Sequence, residues 1–166
     1  MKRTIRKATR SDLPTVLELI VSGRRIMLEN GNPTQWGNSR PSARQIEDDI
    51  ASGHSYLLLE DGRAIATWAL IPGPDATYAK IYEGHWTDST LPYYVIHRVA
   101  SLPEYHGVMN SILDYSFSLS DNIRIDTHRN NFIMQRCLHS YGFDYCGIIH
   151  LEDGDERLAY QKLFSR

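Results

Sequence analysis

Asp126 and His128 are side chains of the types that carry protons in enzymes, and they stand close together in the sequence. They belong to residues 123–128, where apolar and polar side chains alternate at the period of two that is typical of a β-strand. A carboxylate or an imidazole at the end of such a strand could act as a general base or acid. The alternative for Asp126 is an ion pair with a nearby arginine, namely Arg98, Arg124 or Arg129.

A short helix is predicted directly after this strand. Asn130 or Asn131 can cap its first turn, apolar residues then recur at three- and four-residue steps, and Gly142 can end it. Apolar Phe143 follows at once. Residues 123–147 therefore predict a strand, a polar turn, a helix and a stop.

The other periodicities predict a mixed α+β protein with a single domain over residues 1–166. Further helices are predicted at Leu13–Asn30, Ala43–Ser52 and Gly107–Ser120, and strands at Thr4–Ala8, Ser55–Glu60, Ala64–Ile71, Tyr93–Ser101 and Glu156–Leu163. The segment Pro72–Pro92 is long and aromatic for a connection, and loops of this length in compact domains are often functional. We expect it to form a wall of a substrate site.

Composition limits the classes of function. The chain has 166 residues, a formal charge of -2, 42% hydrophobic residues and 23% charged residues, which is ordinary for one globular domain. Without a Lys/Arg block, nucleic-acid binding is not expected as the main role. No apolar stretch is long enough to span a bilayer or to form a signal segment, so we expect a cytoplasmic protein. Cys137 and Cys146 lack metal-knuckle and CxxC spacing, so no metal site is predicted.

Residues 123–147 resemble the last strand–helix–strand unit of the GNAT acetyltransferase superfamily. The family motif runs from a strand with an acidic residue, through an asparagine, to a Gly-Phe pair, and this chain offers Asp126, Asn131 and Gly142-Phe143. The order of predicted elements resembles the GNAT fold along essentially the whole chain. The resemblance implies a mixed, mostly antiparallel sheet flanked by helices, with splayed fourth and fifth strands and acetyl-CoA as cosubstrate.

Residues 99–111 resemble the cofactor-binding segment of the family, V-A-V-x-P-E-Y-R-G-x-G-x-G/A. In the family, N–H groups at the helix start bind the pyrophosphate, and the pantetheine arm pairs with the fourth strand. Gly107 is kept here, whereas His106 replaces Arg or Gln, Met109 replaces the central Gly and Ser111 replaces the final residue. The alternative is an ordinary turn into a core helix, and for Asn131 a simple helix cap. The implied cofactor contacts are Val99, Ala100, Ser101, His106, Gly107, Val108, Met109, Asn110, Ser111 and Asn131.

The resemblance also implies catalytic residues for acetyl transfer to an amine. Asp126 takes the place where members that modify protein N-termini carry a catalytic Glu, which is one methylene longer, so a relay water is expected. The usual acid is a Tyr four residues before the Gly-Phe pair, and here that residue is Leu138. His128, Tyr141 and Tyr145 lie nearby in sequence and could substitute. The implied catalytic residues are Asp126, His128 and His97.

His97 and Arg98 precede the implied cofactor strand, and alternation predicts that their side chains lie on opposite faces of the sheet. One of them should therefore reach the acceptor cleft. Arg98 falls where many relatives carry a glutamate base, so it would favour an acceptor with a carboxylate or phosphate. The alternative is a structural ion pair from Arg98 to Asp126 or Glu83.

Trp36, Tyr82 and Trp86 fall in the two loops that frame the acceptor in the family. Together with Arg98 they are the implied substrate contacts, and the three aromatics would form a flat apolar wall. Buried hydrophobic plugs are the alternative for these rings.

The function that these features predict is transfer of an acetyl group from acetyl-CoA to a primary amine of a small molecule or peptide, by direct attack in a ternary complex. The partners would be acetyl-CoA and the amine, without nucleic acid or membrane, and a homodimer is one expected assembly. The alternative is a catalytically weak GNAT-fold protein that binds acyl-CoA as a sensor, because the phosphate turn and the acid position both depart from the family.

Overall fold

The computed structural model describes residues 1–165 and places a seven-stranded sheet between two layers of helices. The helices are α1 (Leu13–Glu29), α2 (Ala43–Ala51), α3 (Val108–Leu119) and α4 (Phe132–Tyr141). The strands are β1 (Arg3–Lys7), β2 (Ser55–Glu60), β3 (Arg63–Pro72), β4 (Tyr94–Ser101), β5 (Asn122–Thr127), β6 (Asp144–His150) and β7 (Glu156–Leu163). The predicted α+β class is confirmed, and the predicted strands and helices end within one or two residues of the observed ones.

The sheet has the order β1-β2-β3-β4-β5-β7-β6, and every neighbouring pair is antiparallel except β4 and β5. The parallel pairing of β4 with β5 covers only three residues of each strand and ends at Ile96 and Ile125. Beyond these residues the two strands no longer pair, which is the predicted splay of the fourth and fifth strands. The sheet therefore opens into a fork at His97 and Asp126.

A β-bulge lies in β4 directly beside this fork. Between His97 and Ala100, two residues of β4 face a single residue of β3. One of the two, Arg98, has a φ of 56°, in the left-handed region that side chains other than glycine seldom adopt. Because the bulge shifts the alternation, Arg98 reaches Asp49 of α2 on the same face as His97. The expectation that these two side chains lie on opposite faces is wrong.

Three apolar clusters hold the layers together. The largest joins α3 and α4 to one face of the sheet, a second joins α1 and α2 to the other face, and a third lies under residues 73–93. Side chains at their centres are Ile112, Leu113 and Leu138 in the first cluster, Val16, Leu19 and Ile46 in the second, and Tyr78, Trp86 and Ile149 in the third. Because helices cover both faces, only the fork and the loop edges leave the middle of the sheet accessible.

The helix ends follow from local sequence. The Ser42 hydroxyl accepts a hydrogen bond from Gln45 N at 3.1 Å at the start of α2, and Asn131 Oδ1 accepts one from Met134 N at 3.1 Å at the start of α4. Gly142 ends α4 with a φ of 104°, as the glycine signal predicts. Within residues 1–165, no helix combines the length and the apolar character needed to cross a bilayer.

Candidate active site

A cleft of about 1210 Å³ runs through the fork between β4 and β5. Its lining includes the start of α3, α4, the α1–α2 loop, the turn before Tyr78 and the β6–β7 turn. His97 and Asp126 line its middle, at the point where the strand pairing stops. A ligand that crosses the sheet in this cleft must therefore pass these two side chains.

Four side chains lie in a row at the fork as two hydrogen-bonded pairs, Tyr78 with Asp126 and His97 with Asp75. The Tyr78 hydroxyl donates to Asp126 Oδ2 at 2.5 Å, and His97 Nδ1 lies 3.9 Å from the same oxygen. On the other side of the imidazole, His97 Nε2 lies 2.9 Å from Asp75 Oδ2. None of the three arginines considered for Asp126 pairs with it. The ion-pair alternative is replaced by the bond to Tyr78.

The surroundings of this row fix the protonation of two of its members. Burial alone would raise the pKa of the Asp75 carboxyl, but hydrogen bonds from His97 and Thr77 outweigh it and hold that pKa at about 2. Burial, and then the negative charge of Asp126, raise the pKa of the Tyr78 hydroxyl well above its ordinary value. Asp75 is therefore ionised, and Tyr78 keeps its proton and remains a donor.

The implied cofactor contacts line the cleft, with one exception. Val99, Ala100 and Ser101 line it where β4 has left β5, followed by His106 to Asn110 at the start of α3. Gly107, just before α3, has a φ of 67°, which a glycine adopts without strain. Ser111 is outside this wall, because its hydroxyl accepts a hydrogen bond from the Arg3 guanidinium at 3.0 Å and lies 3.3 Å from the Gly107 carbonyl. The hydroxyl expected to help hold an anion is thus already engaged.

Met109, which stands where the family has its central glycine, lines the cleft. Its side chain is partly buried and packs against the apolar cluster beneath α3. The first N–H groups of a helix have no partner within the helix, whatever side chains they carry. The N-terminus of α3 thus keeps the donors that suit an anion.

Asn131 lines the cleft and also ties two loops together. Besides capping α4, its amide Nδ2 donates to Gln35 Oε1 at 3.0 Å, and Asn32 Nδ2 donates to the same oxygen at 2.8 Å. Arg157 donates to the Gln35 carbonyl at 3.2 Å. These bonds connect the α1–α2 loop to the start of α4 and to β7.

Only one of the three aromatic side chains predicted to contact the acceptor lines the cleft, and that is Trp36. Trp86 is buried, donates its indole N–H to the Tyr78 carbonyl at 3.1 Å and packs in the third apolar cluster. Tyr82 lies at the sheet edge, where its backbone bonds to Ile148 and its ring stacks on His150. The loop does form a wall, but through Asp75 and Thr77.

Arg98 borders the cleft without offering it a free charge. Its guanidinium makes two hydrogen bonds to the buried Asp49 carboxylate, at 2.6 and 2.8 Å. Arg98 therefore forms a structural ion pair, but the partners expected for it, Asp126 and Glu83, are wrong, because the observed partner is Asp49.

His128, Tyr141 and Tyr145, the residues predicted as substitutes for the general acid, do not line the cleft. His128 Nδ1 accepts from Asn130 N at 3.0 Å and its Nε2 lies 3.2 Å from the Thr34 hydroxyl. Burial, together with nearby arginines, lowers the His128 pKa. Leu138 is fully buried, and the Tyr141 hydroxyl donates to Asp114 at 2.6 Å.

Tyr145, the remaining substitute, is about half exposed on β6 and packs its ring against Tyr160. Residues predicted as possible acids therefore do not converge on the fork.

Sequence reasoning missed Asp75, Tyr78 and Arg157. Asp75 follows Gly-Pro and accepts from Thr77 N at 2.9 Å, an Asx turn that the residue types do signal. Nothing local, however, indicates that Asp75 meets His97, which is 22 residues away. Tyr78 carries no signal beyond its type, because its role depends on the docking of the whole loop.

Comparisons with known proteins bear on this geometry. No protein-family profile matches the chain, and no curated protein is similar enough in sequence to match. Solved structures do match along nearly the whole chain. A GNAT-family acetyltransferase from Streptococcus agalactiae is 30% identical, with a TM-score of 0.91 over 99% of this chain and 96% of its own.

Two more distant structures share the fold. The ribosomal-protein-S18-alanine N-acetyltransferase of Escherichia coli is 13% identical, with a TM-score of 0.62 over 99% of this chain and 96% of its own. Naa50 of Arabidopsis thaliana, solved with the bisubstrate analogue CoA-Ac-MVNAL, is 14% identical, with a TM-score of 0.65 over 99% of this chain and 100% of its own. Because the streptococcal relative reaches 30% identity over almost the full length of both chains, this chain belongs to the GNAT family of acetyltransferases.

Proposed function

We propose that this protein transfers an acetyl group from acetyl-CoA to a primary amine by direct attack in a ternary complex. The observation that carries the proposal is the placing of Asp126 and His97 at the fork of β4 and β5, inside a cleft that also contains the start of α3. A cosubstrate can enter from the α3 side and an amine from the opposite side. The two would meet beside groups that can accept a proton.

Acetyl-CoA would supply the acetyl group as an activated thioester. The residues present fit it, because the Gly107 turn and the start of α3 offer free N–H groups and a positive helix end to a pyrophosphate. The edge of Val99–Ser101, which β5 leaves unpaired, offers backbone groups to an extended arm. Asn131, through its link to Gln35, would keep the α1–α2 loop beside that arm.

Asp126 is the proposed general base. An ordinary alkylamine with a pKa of roughly 10.4 is protonated at neutral pH and must lose a proton before it can attack. Tyr78 occupies Asp126 Oδ2, and the other carboxylate oxygen has no hydrogen bond to residues 1–165. Asp126 can therefore accept the proton directly or through a water molecule. His97, held by Asp75, is the neighbouring group to which the proton can pass.

The departing thiolate receives no help from the side chains predicted as acids. A thiol with a pKa of roughly 8.5 is a passable leaving group without protonation. The mechanism therefore assigns no general acid, and we expect a modest turnover number. The same feature favours a second candidate function, an acyl-CoA-binding sensor with little turnover.

The test of function has two parts. Binding of CoA or acetyl-CoA should raise the melting temperature, since a ligand at a hundredfold excess over its dissociation constant stabilises the native state by about 2.7 kcal/mol. Release of free thiol from acetyl-CoA should then rise with at least one member of a panel of primary amines. Stabilisation without stimulated release would favour the sensor, and the lack of both would contradict either function.

Asp126→Asn tests the assignment of the base. The variant should keep its fold and CoA affinity but lose on the order of a hundredfold or more in turnover, because the amide cannot take a proton. Asp114→Asn is a matched control, since Asp114 also accepts from a tyrosine hydroxyl, but outside the cleft. Equal turnover of the two variants would remove Asp126 from the mechanism and leave His97 as the candidate.

A further inference from the structure

We propose that the amine acceptor carries a carboxylate close to its amino group, as an α-amino acid does, and that Arg157 binds this carboxylate. The inference deepens the proposed function and rests on it for the position of the amine. It comes from the one arginine at the acceptor end that is both buried and without a carboxylate partner among residues 1–165.

Arg157 is 4% exposed and lines the cleft. Its guanidinium donates only to two backbone carbonyls, those of Gln35 at 3.2 Å and of Glu156 at 2.9 Å. No carboxylate of the described chain lies within ion-pair distance of it. A guanidinium has five N–H donors in a planar fork, so these two carbonyls leave donors free.

The other arginines that line the cleft are either paired with a carboxylate or exposed. Arg98 is bound by Asp49, and Arg40 lies 3.3 Å from Asp153 and 3.6 Å from Asp155. Arg136, on α4, is exposed to solvent.

Outside this wall, Arg124 also lacks a carboxylate, but its guanidinium is held 4.0 Å from the ring centres of both Trp86 and Tyr93. Those aromatic faces give Arg124 a structural explanation. Arg157 has no such enclosure.

Among the nearby charged groups, Asp126 has the strongest electrostatic interaction with Arg157. Burial lowers the Arg157 pKa, and among the nearby charges Asp126 comes first in opposing that effect. The acceptor end thus has a negative group at the fork and a positive group beside it, both poorly exposed to water. A zwitterion fits this pair, with its ammonium toward Asp126 and its carboxylate toward Arg157.

A polycationic acceptor is the competing reading, because Glu152 and Asp153 also line the cleft. Asp153, however, is already neighboured by Arg40, and Glu152 is an exposed residue of the β6–β7 turn. A second amine would gain little from an exposed carboxylate that water screens. The buried charge that lacks a partner is positive, which favours a carboxylate.

The experiment compares amines that differ only in the carboxylate: lysine with cadaverine, phenylalanine with 2-phenylethylamine, and leucine with 3-methylbutylamine. Binding to the full chain with saturating CoA is measured by calorimetry, and turnover is measured separately by thiol release. We expect at least one amino acid to bind on the order of tenfold or more tighter than its decarboxylated partner. Equal or tighter binding of the amines without carboxylate would overturn the inference.

Variants of Arg157 then assign the effect to a residue. Arg157→Gln should remove the preference for the carboxylate, and Arg157→Lys should recover only part of it, because a lysine lacks the planar fork. Arg129→Gln is the control, since Arg129 pairs with Glu156 outside the cleft. A preference that survives in Arg157→Gln would overturn the inference, and if that variant does not fold, the Arg157→Lys variant and the wild-type comparison decide it. Because these comparisons measure binding, a failure of catalysis would show in thiol release and would leave the measured preference for the carboxylate unchanged.

Discussion

Replacing Asp75 by asparagine should cost stability in a way that depends on pH. One Asp75 oxygen accepts from Thr77 N at 2.9 Å and from the Thr77 hydroxyl at 2.6 Å, and the other lies 2.9 Å from His97 Nε2. Asn at this position keeps an oxygen for Thr77 but presents an amide N–H₂ to the imidazole. The variant therefore retains the turn and loses the charge-assisted bond to His97.

The magnitude follows from the Asp75 pKa, which is lowered from 3.8 to about 2. This difference of slightly less than two pKa units between the unfolded and folded states corresponds to about 2.5 kcal/mol, at roughly 1.36 kcal/mol per unit. Because the folded pKa is depressed, this stability is fully present above the unfolded pKa and is lost as the pH falls from about 4 to about 2. The free energy of unfolding of the wild type should exceed that of Asp75→Asn by about 2.5 kcal/mol at pH 7, and the gap should close toward pH 2.

Urea unfolding followed by circular dichroism at pH 7, 5, 3.5 and 2.5 measures this gap. Glu152→Gln is the matched control, because the Glu152 carboxylate lines the cleft yet has no hydrogen bond or ion pair within the described residues. It should track the wild type at every pH. A gap for Asp75→Asn that is absent at pH 7, or unchanged between pH 5 and pH 2.5, would refute the assignment of this stability to the ionised carboxylate.

Two further predictions concern the frame of the cleft. Arg98→Met should destabilise the fold by about 3–5 kcal/mol because it leaves the buried Asp49 carboxylate without its partner. The double variant with Asp49→Leu should recover much of that loss. Urea unfolding measures both variants, and a double variant as unstable as the single one would contradict the prediction. Gly23→Ala should lower the free energy of unfolding by about 1–3 kcal/mol, because the added Cβ would lie 2.8 Å from the Ala100 Cβ where α1 crosses β4. An unchanged melting temperature would contradict this and would show that α1 can shift away from β4.

The fold could be predicted from local pattern to a large extent. Residues 123–147 have a strand alternation, a capping asparagine and a terminating Gly142, and the structure places a strand, a helix and a cap at those positions. These signals are reliable because each depends on contacts within a few residues of the chain. The same segment also correctly placed Asp126 at a strand end that lines the cleft.

The details that failed are those that a single irregularity or a distant contact controls. Alternation misplaced Arg98 because a bulge with a positive φ redirected it, and no residue type in β4 announces that bulge. Trp86 and Tyr82 were predicted to form part of a substrate wall. Instead, Trp86 packs in a buried apolar cluster and Tyr82 lies at the sheet edge. Residue types show what a side chain can do, whereas packing decides which surface it meets.

The sequence by itself determined the class of fold, the order of its elements and the position of a carboxylate, Asp126, at the end of β5. Only the tertiary structure decided what surrounds that carboxylate. Tyr78 of the long loop donates a hydrogen bond to it, His97 of the neighbouring strand lies 3.9 Å from it, and Arg157 of β7 interacts with it electrostatically from beyond ion-pair distance. The physical reason is that hydrogen bonds and charge interactions act over a few ångströms in space, while these groups are separated by 29 to 48 residues along the chain. Chain folding, and not sequence spacing, sets the distances on which the chemistry depends.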